Sequence, residues 1–284
     1  MHVQSTMTSA EQAIVAAATH ELAADRSVDV VLTSDVHGAF AWGVLDRLLD
    51  DPDFAFNTIT ASGFAAAEAA VLVYGLGLGG RRGARTALAN FWRRVSHASM
   101  LSADRTDLLR SILEHSIDIE QIRGGRCPVR LCIVAVNART DALKIFSGDQ
   151  LSISAIVAAA AVPFLSPSVE IDGDSYWGDG DVLALPMAPS AEADHRLIVA
   201  GQPTRQTAPC SDRQRGADCA MSCTHTIVDV QRRARSAMQL RPSIDWGELA
   251  DICSRGRQTA EDWLLAASST SSDALNVGCR RTYI

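Results

Sequence analysis

Two hydrophobic periods alternate along this chain. Residues 28–32, VDVVL, form a short β-branched apolar run of the kind that fills a buried parallel strand. The segment after it, AFAWGVLDRLLDD, switches to helical spacing, with Phe40, Val44, Leu45 and Leu48 recurring on one face. The pair then repeats: FAFNTITA (54–61) predicts a second strand, and an Ala-rich helix from about residue 63 runs to the glycines at 75–80. RRGARTALANFWRRV (81–95) predicts another helix, with Leu88, Phe91, Trp92 and Val95 on its apolar face. Further on, residues 105–115 predict a helix, VRLCIVAVNA (129–138) the longest strand, LKIFS (143–147) a strand pairing with it, and SISAIVAAAA (152–161) a helix. VEIDGDSYWGDGDV (169–182) reads as a hairpin and HRLIVAG (195–201) as a late strand. Helices are also predicted over 11–24, 225–240 and 245–267, with the polar, Pro- and Cys-containing stretch 202–224 as a loop.

Strands alternating with helices predict an α/β fold, a three-layer sandwich in which a mainly parallel central sheet is flanked by helices. The expected organisation is an N-terminal helix (1–27), an α/β domain (28–201), the polar loop (202–224), and a C-terminal helical extension (225–284) packed on the same domain. A chain of 284 residues can bury one large core.

Charge changes this picture in one respect. The net charge of −7 argues against a nucleic-acid partner held through phosphates. Two apolar stretches could be mistaken for membrane spans, which need about 20 clean apolar residues. Residues 61–79 carry Glu68 in their middle, and 154–166 are too short and contain Pro163, so both predict buried helices and no transmembrane segment. The first twenty residues lack a basic n-region and a long apolar h-region, which predicts no secretory signal and a cytoplasmic protein. The seven cysteines (127, 132, 210, 219, 223, 253, 279) are odd in number and read as reduced thiols. Cys219, Cys223 and His225 have ligand-like spacing, but two or three ligands in a polar stretch do not close a zinc site. No metal and no cofactor are expected.

Three turns are placed where chemistry is done. The strand–turn–helix at 28–49 presents main-chain N–H groups at a helix N-terminus, a natural anion or oxyanion site. The second strand–helix unit places Ser62 at its turn, where a nucleophile elbow sits. The third is Gly178-Asp179-Gly180-Asp181, a turn with two carboxylates. Histidine 37 beside the first turn reads as a helix-start residue, and Trp42 and Trp177 read as packing residues.

HGAFAWGVLDRLLDD, YGLGLGGRRGARTALANFWRRV, and VEIDGDSYW followed by an Asp/Gly turn together resemble the bacterial patatin-like phospholipases. The resemblance runs from about Val30 to Pro186, in the family's order. It implies a lipid or acyl-ester ligand and a Ser–Asp dyad that cleaves acyl esters without histidine or metal. It also implies a Gly-rich oxyanion loop at Ser34, Asp35, His37 and Gly38, a G-x-S-x-G elbow, and an Asp-Gly pair.

The three motifs depart from that pattern. The loop reads Thr33-Ser34-Asp35-Val36-His37-Gly38, in which only Gly38 remains of the glycine run, and Asp35 puts negative charge where an oxyanion develops. Losing one oxyanion donor costs roughly 10²–10³ in turnover. At the elbow, ungapped counting between His37 and Tyr74 places Gly63 at the nucleophile position, with Ala61 and Ala65 for the flanking glycines. The other register takes Ser62 as nucleophile, with Thr60 and bulky Phe64 beside it. After Tyr176-Trp177 the family's Asp falls on Gly178, while the carboxylate arrives one residue later at Asp179, with Asp181 a second candidate. The expectation is therefore a catalytically impaired pseudoenzyme. The alternative is an active lipid acyl hydrolase using Ser62 and Asp179.

Overall fold

The computed structural model describes residues 27–34, 38–99, 105–127, 129–161, 166–178, 195–200, 223–228 and 245–271. Its elements in chain order are β1 (Ser27–Ser34), α1 (Ala39–Leu48), β2 (Ala55–Gly63), α2 (Ala65–Ser99), α3 (Arg105–Glu114), α4 (Ile119–Arg123), β3 (Arg130–Asn137) and β4 (Leu143–Ser147). They continue with α5 (Ile153–Ala160), β5 (Val169–Ile171), β6 (Asp174–Trp177), β7 (His195–Ala200), β8 (Cys223–Val228) and α6 (Trp246–Ser271). The fold is α/β with a central sheet flanked by helices, as the alternating periods predict.

The strand order is β5-β6-β3-β2-β1-β7-β8, with β4 also paired to β3. The pairings β1–β2, β1–β7, β2–β3 and β7–β8 are parallel, whereas β4, β5 and β6 enter antiparallel. Residues in register across the strands line one face: Val30 lies beside Ile59 and Leu197, and Leu32 beside Ala61 and Val199. These residues join the main core with apolar residues from all the described helices, including Leu45, Leu72, Leu113, Ile156 and Leu249. The opposite face carries a small cluster of its own, Val31 and Val134 with Leu143 and Ile198 against them. The two faces separate because side chains alternate along a strand.

Helix α2 is a hairpin of two arms. Its backbone leaves helical geometry at Gly79 and Gly80, where Gly80 takes φ +58°. The arms cross so closely that a Cβ on Gly75 would lie 2.6 Å from the Ala84 Cα, and one on Gly83 would lie 2.5 Å from the Gly75 oxygen. Glycines at these positions are what allow the two arms to touch.

Helix α6 lies across α1 in the same way, with Gly43 meeting the Cys253 carbonyl and Gly256 the Phe40 carbonyl. Charge pairs flank that crossing. Arg257 and Arg85 share Asp46 and Asp50, and Arg47 pairs with Glu261. The Arg47–Glu261 hydrogen bond holds the carboxyl below its usual range and raises the guanidinium.

Three expectations are corrected or fall elsewhere. Residues 223–228 form strand β8 beside β7, not the end of a loop and the start of a helix, because Thr224, Thr226, Ile227 and Val228 form a β-branched run along an open parallel edge. Helix α4 is additional; Asp118 caps it by accepting the Glu120 N–H at 3.0 Å. The predicted helix over 11–24 lies outside the described residues.

Of the two apolar stretches, one became the end of β2 and the first arm of α2, and the other contains most of α5. Among the described residues no helix is long and apolar enough to cross a membrane.

Candidate functional site

The C-terminal ends of β1 and β2 lie side by side, Thr33 in register with Ser62 and Ser34 with Gly63. In open α/β sheets this edge is where ligands bind. Helix α1 begins at Ala39, five residues past the end of β1, and α2 begins at Ala65, two residues past the end of β2.

The turn after β2 has the geometry of an elbow. Gly63 takes φ +63°, the left-handed conformation forced on the residue at the apex of a sharp strand-to-helix bend. The residue at this bend therefore has no side chain. Ser62 was expected at the turn and is instead the penultimate residue of β2. Its side chain falls on the sheet face shared with Thr60, one residue off the apex, and is 2% exposed. A one-residue offset in a strand turns a side chain to the other face. Among the described residues no carboxylate or imidazole hydrogen-bonds to it.

The apex is also closed from below. The N–H of Phe64, the residue after the apex, donates to the Ser34 carbonyl at 2.8 Å. In an acyl-transfer elbow that N–H is one of the two oxyanion donors. Here it is spent inside the protein. A Cβ built on Gly63 would lie 2.3 Å from the same Ser34 oxygen, so the site is shaped around a glycine.

Ser34 in turn anchors to a carboxyl that sequence reading missed as a site residue. Glu68, in the first turn of α2, is fully buried. Trp92 Nε1 donates to its Oε1 at 3.0 Å, and the Ser34 hydroxyl lies 3.4 Å from Oε2. A main-chain hydrogen bond from Trp42, in the first turn of α1, reaches the same carboxyl. Burial pushes the Glu68 carboxyl up to about 8, against the opposing pull of the bonds from Trp92, Ser34 and Trp42. At neutral pH it is mostly protonated. Both helix N-termini at this edge thus spend a donor on internal groups.

Aromatic rings seal the region. Phe64 packs against Phe91 and Trp92, and Trp42 stacks on Trp92 at 6.2 Å and meets the tilted Trp246 ring at 5.9 Å. Trp42 is thus a packing residue, as expected. The Cys253 thiol is pushed up to about 12 by burial and by Glu68, which leaves it protonated and unreactive. Replacing Trp92 by phenylalanine removes the donor to Glu68 while keeping ring volume. We expect a loss of about 1–3 kcal/mol in urea unfolding, the cost of one buried unpaired acceptor.

Gly38 caps α1, and its carbonyl accepts the Ala41 N–H at 2.9 Å. Asp35 and His37 of the expected oxyanion loop, and Asp179 and Asp181, lie outside the described residues. Gly178 is described: its N–H donates to the Ala161 carbonyl at 2.7 Å, and a Cβ there would lie 1.5 Å from the Ala159 oxygen. The position that the resemblance assigns to the dyad's aspartate is therefore filled by the end of α5. Cys223 and His225 lie in β8, and Cys219 lies outside the described residues. Among the described residues no group of three metal-ligating side chains comes together.

No family model matches the chain, and no curated protein matches it. Among solved structures it is similar to VipD from Legionella pneumophila, at 10% identity and a TM-score of 0.46, over 85% of this chain and 67% of that one. It is also similar to the type III effector protein ExoU, at 13% identity and a TM-score of 0.45, over 85% of this chain and 53% of that one.

Proposed function

We propose that this chain is a patatin-like protein with a closed elbow, a pseudoenzyme that acts by binding and not by hydrolysis. One observation carries the reading: the apex is Gly63, and the N–H after it is bonded to the Ser34 carbonyl. Ester hydrolysis by a dyad needs a hydroxyl at the apex, a base facing it, and free main-chain donors for the developing oxyanion. Serine 62 lies one residue from the apex, buried on the strand. The residue in the aspartate's register is Gly178, closed over by the Ala159 carbonyl. Removing a nucleophilic serine alone costs about 10⁶ in rate.

Sequence motifs from about Val30 to Pro186 support a patatin-like scaffold, and the strand–elbow–helix geometry at β2 and α2 agrees with it. The test is hydrolysis of a fluorogenic short-chain ester by the wild type and by Ser62→Ala. We expect both to stay at the uncatalysed rate. Activity that disappears in Ser62→Ala would establish the alternative, an acyl hydrolase using Ser62 and Asp179.

A further inference from the structure

An open groove of about 490 Å³ lies between the two arms of α2, in the size range of small-molecule sites. Its apolar side is Tyr74 and Leu78 from the first arm and Ala87 and Phe91 from the second. Phe91 is fully buried, while Leu78 is 57% exposed and gives the groove an open apolar wall. Arg82 and Arg94 line the same groove, twelve residues apart on one arm, roughly 18 Å by helical rise.

Those two guanidiniums differ from their neighbours. Five arginines lie on the second arm, and three have described partners. Arg81 donates to the carbonyls of Asp51 and Pro52, Arg85 pairs with Asp46 and Asp50, and Arg93 lies over the Trp246 ring at 5.7 Å. Among the described residues the side chains of Arg82 and Arg94 meet no acceptor and no carboxylate. Their position is therefore notable in a chain of net charge −7.

We infer that this groove binds a single-chain anionic amphiphile, its alkyl chain along Tyr74, Leu78 and Ala87 and its carboxylate or phosphate head on the guanidinium of Arg82 or of Arg94, one toward each end of the groove. Apolar surface takes the chain, and a guanidinium fork matches a carboxylate or phosphate in geometry and charge. A protein partner fits less well, since a stable interface covers about 800 Å² on each side. The inference deepens the binding reading by naming a site and a ligand class. It does not require the elbow to be inert.

The test is calorimetric titration of the purified chain with dodecanoate, dodecyl phosphate and dodecanol, all below their aggregation concentrations. We expect saturable binding of both anions at one per chain, at least tenfold tighter than dodecanol. The double variant Arg82→Ala/Arg94→Ala should lose tenfold or more for the anions and little for dodecanol, and Leu78→Asp should weaken all three. Circular dichroism of each variant verifies folding; both arginines and Leu78 are exposed, so the fold is expected to survive. Equal affinity for dodecanol and dodecanoate, unchanged binding in the double variant, or binding only to micelles or vesicles would each overturn the inference. Ester hydrolysis by the wild type would remove the inert-elbow reading and leave this result standing.

Discussion

Gly63→Ser, the substitution that formally puts a hydroxyl back at the elbow apex, is expected to destabilise the protein by about 3 kcal/mol or more and to produce no esterase. Two costs add. A residue with a Cβ held at φ +63° is strained by roughly 1–2 kcal/mol. The new Cβ also lies 2.3 Å from the Ser34 oxygen, so either Ser34 moves or the turn opens. Moving Ser34 breaks the Phe64 hydrogen bond and pulls on the Ser34–Glu68 contact, exposing buried groups that then need partners. Losses of this size are confined to a few mechanisms, of which backbone strain and buried unpaired groups are two.

Denaturant unfolding of Gly63→Ser beside Gly63→Ala separates steric cost from any gain by the hydroxyl; the two should fall together. A serine variant as stable as the wild type, or one that turns over ester, would mean that the elbow is not built around a glycine.

The positions of the turns were legible in the sequence. Two apolar strands each followed by a helix place the turns, and ungapped counting from His37 to Tyr74 puts Gly63 at the apex. The backbone agrees, because φ +63° is the conformation such a bend demands. Reading Ser62 into the turn failed for a local reason: β2 runs to Gly63, past the end of the apolar run at Ala61, since Thr33 and Ser34 on β1 continue the ladder.

Strand β8 was missed because its six residues follow a polar, Cys-rich stretch, and what makes them a strand is the open edge of β7. Helix α4 is five residues long and too short to show a period. Glu68 was visible only as a charge interrupting an apolar run. Its meaning depends on three donors, Ser34, Trp42 and Trp92, that lie far away in sequence and meet only in the fold.

Glu68 gives the second large effect, one of pH. Its carboxyl titrates near 8 in the folded chain and near the ordinary 4.5 once unfolded and hydrated. Between those values the folded state holds a proton that the unfolded state has released. Stability from this group is therefore complete below about pH 4.5, declines as pH rises through the window, and levels off above about 8. The slope approaches 1.36 kcal/mol per pH unit, so the accumulated loss is on the order of a few kcal/mol.

Urea unfolding at intervals from pH 5 to 8.5 should show the decline in the wild type and a much flatter profile in Glu68→Gln. That variant keeps a carbonyl oxygen for Trp92 and has no proton to lose. The Cys253 thiol does not titrate in this range, being held up to about 12 in the fold. Equal slopes in the two proteins would show that the Glu68 carboxyl is hydrated and ordinary. The consequence for the elbow is direct. An ionised Glu68 draws harder on the Ser34 hydroxyl and the Trp42 N–H while demanding water that its site does not admit. Glu68 reaches the apex through Ser34, whose hydroxyl it contacts and whose carbonyl accepts the Phe64 N–H.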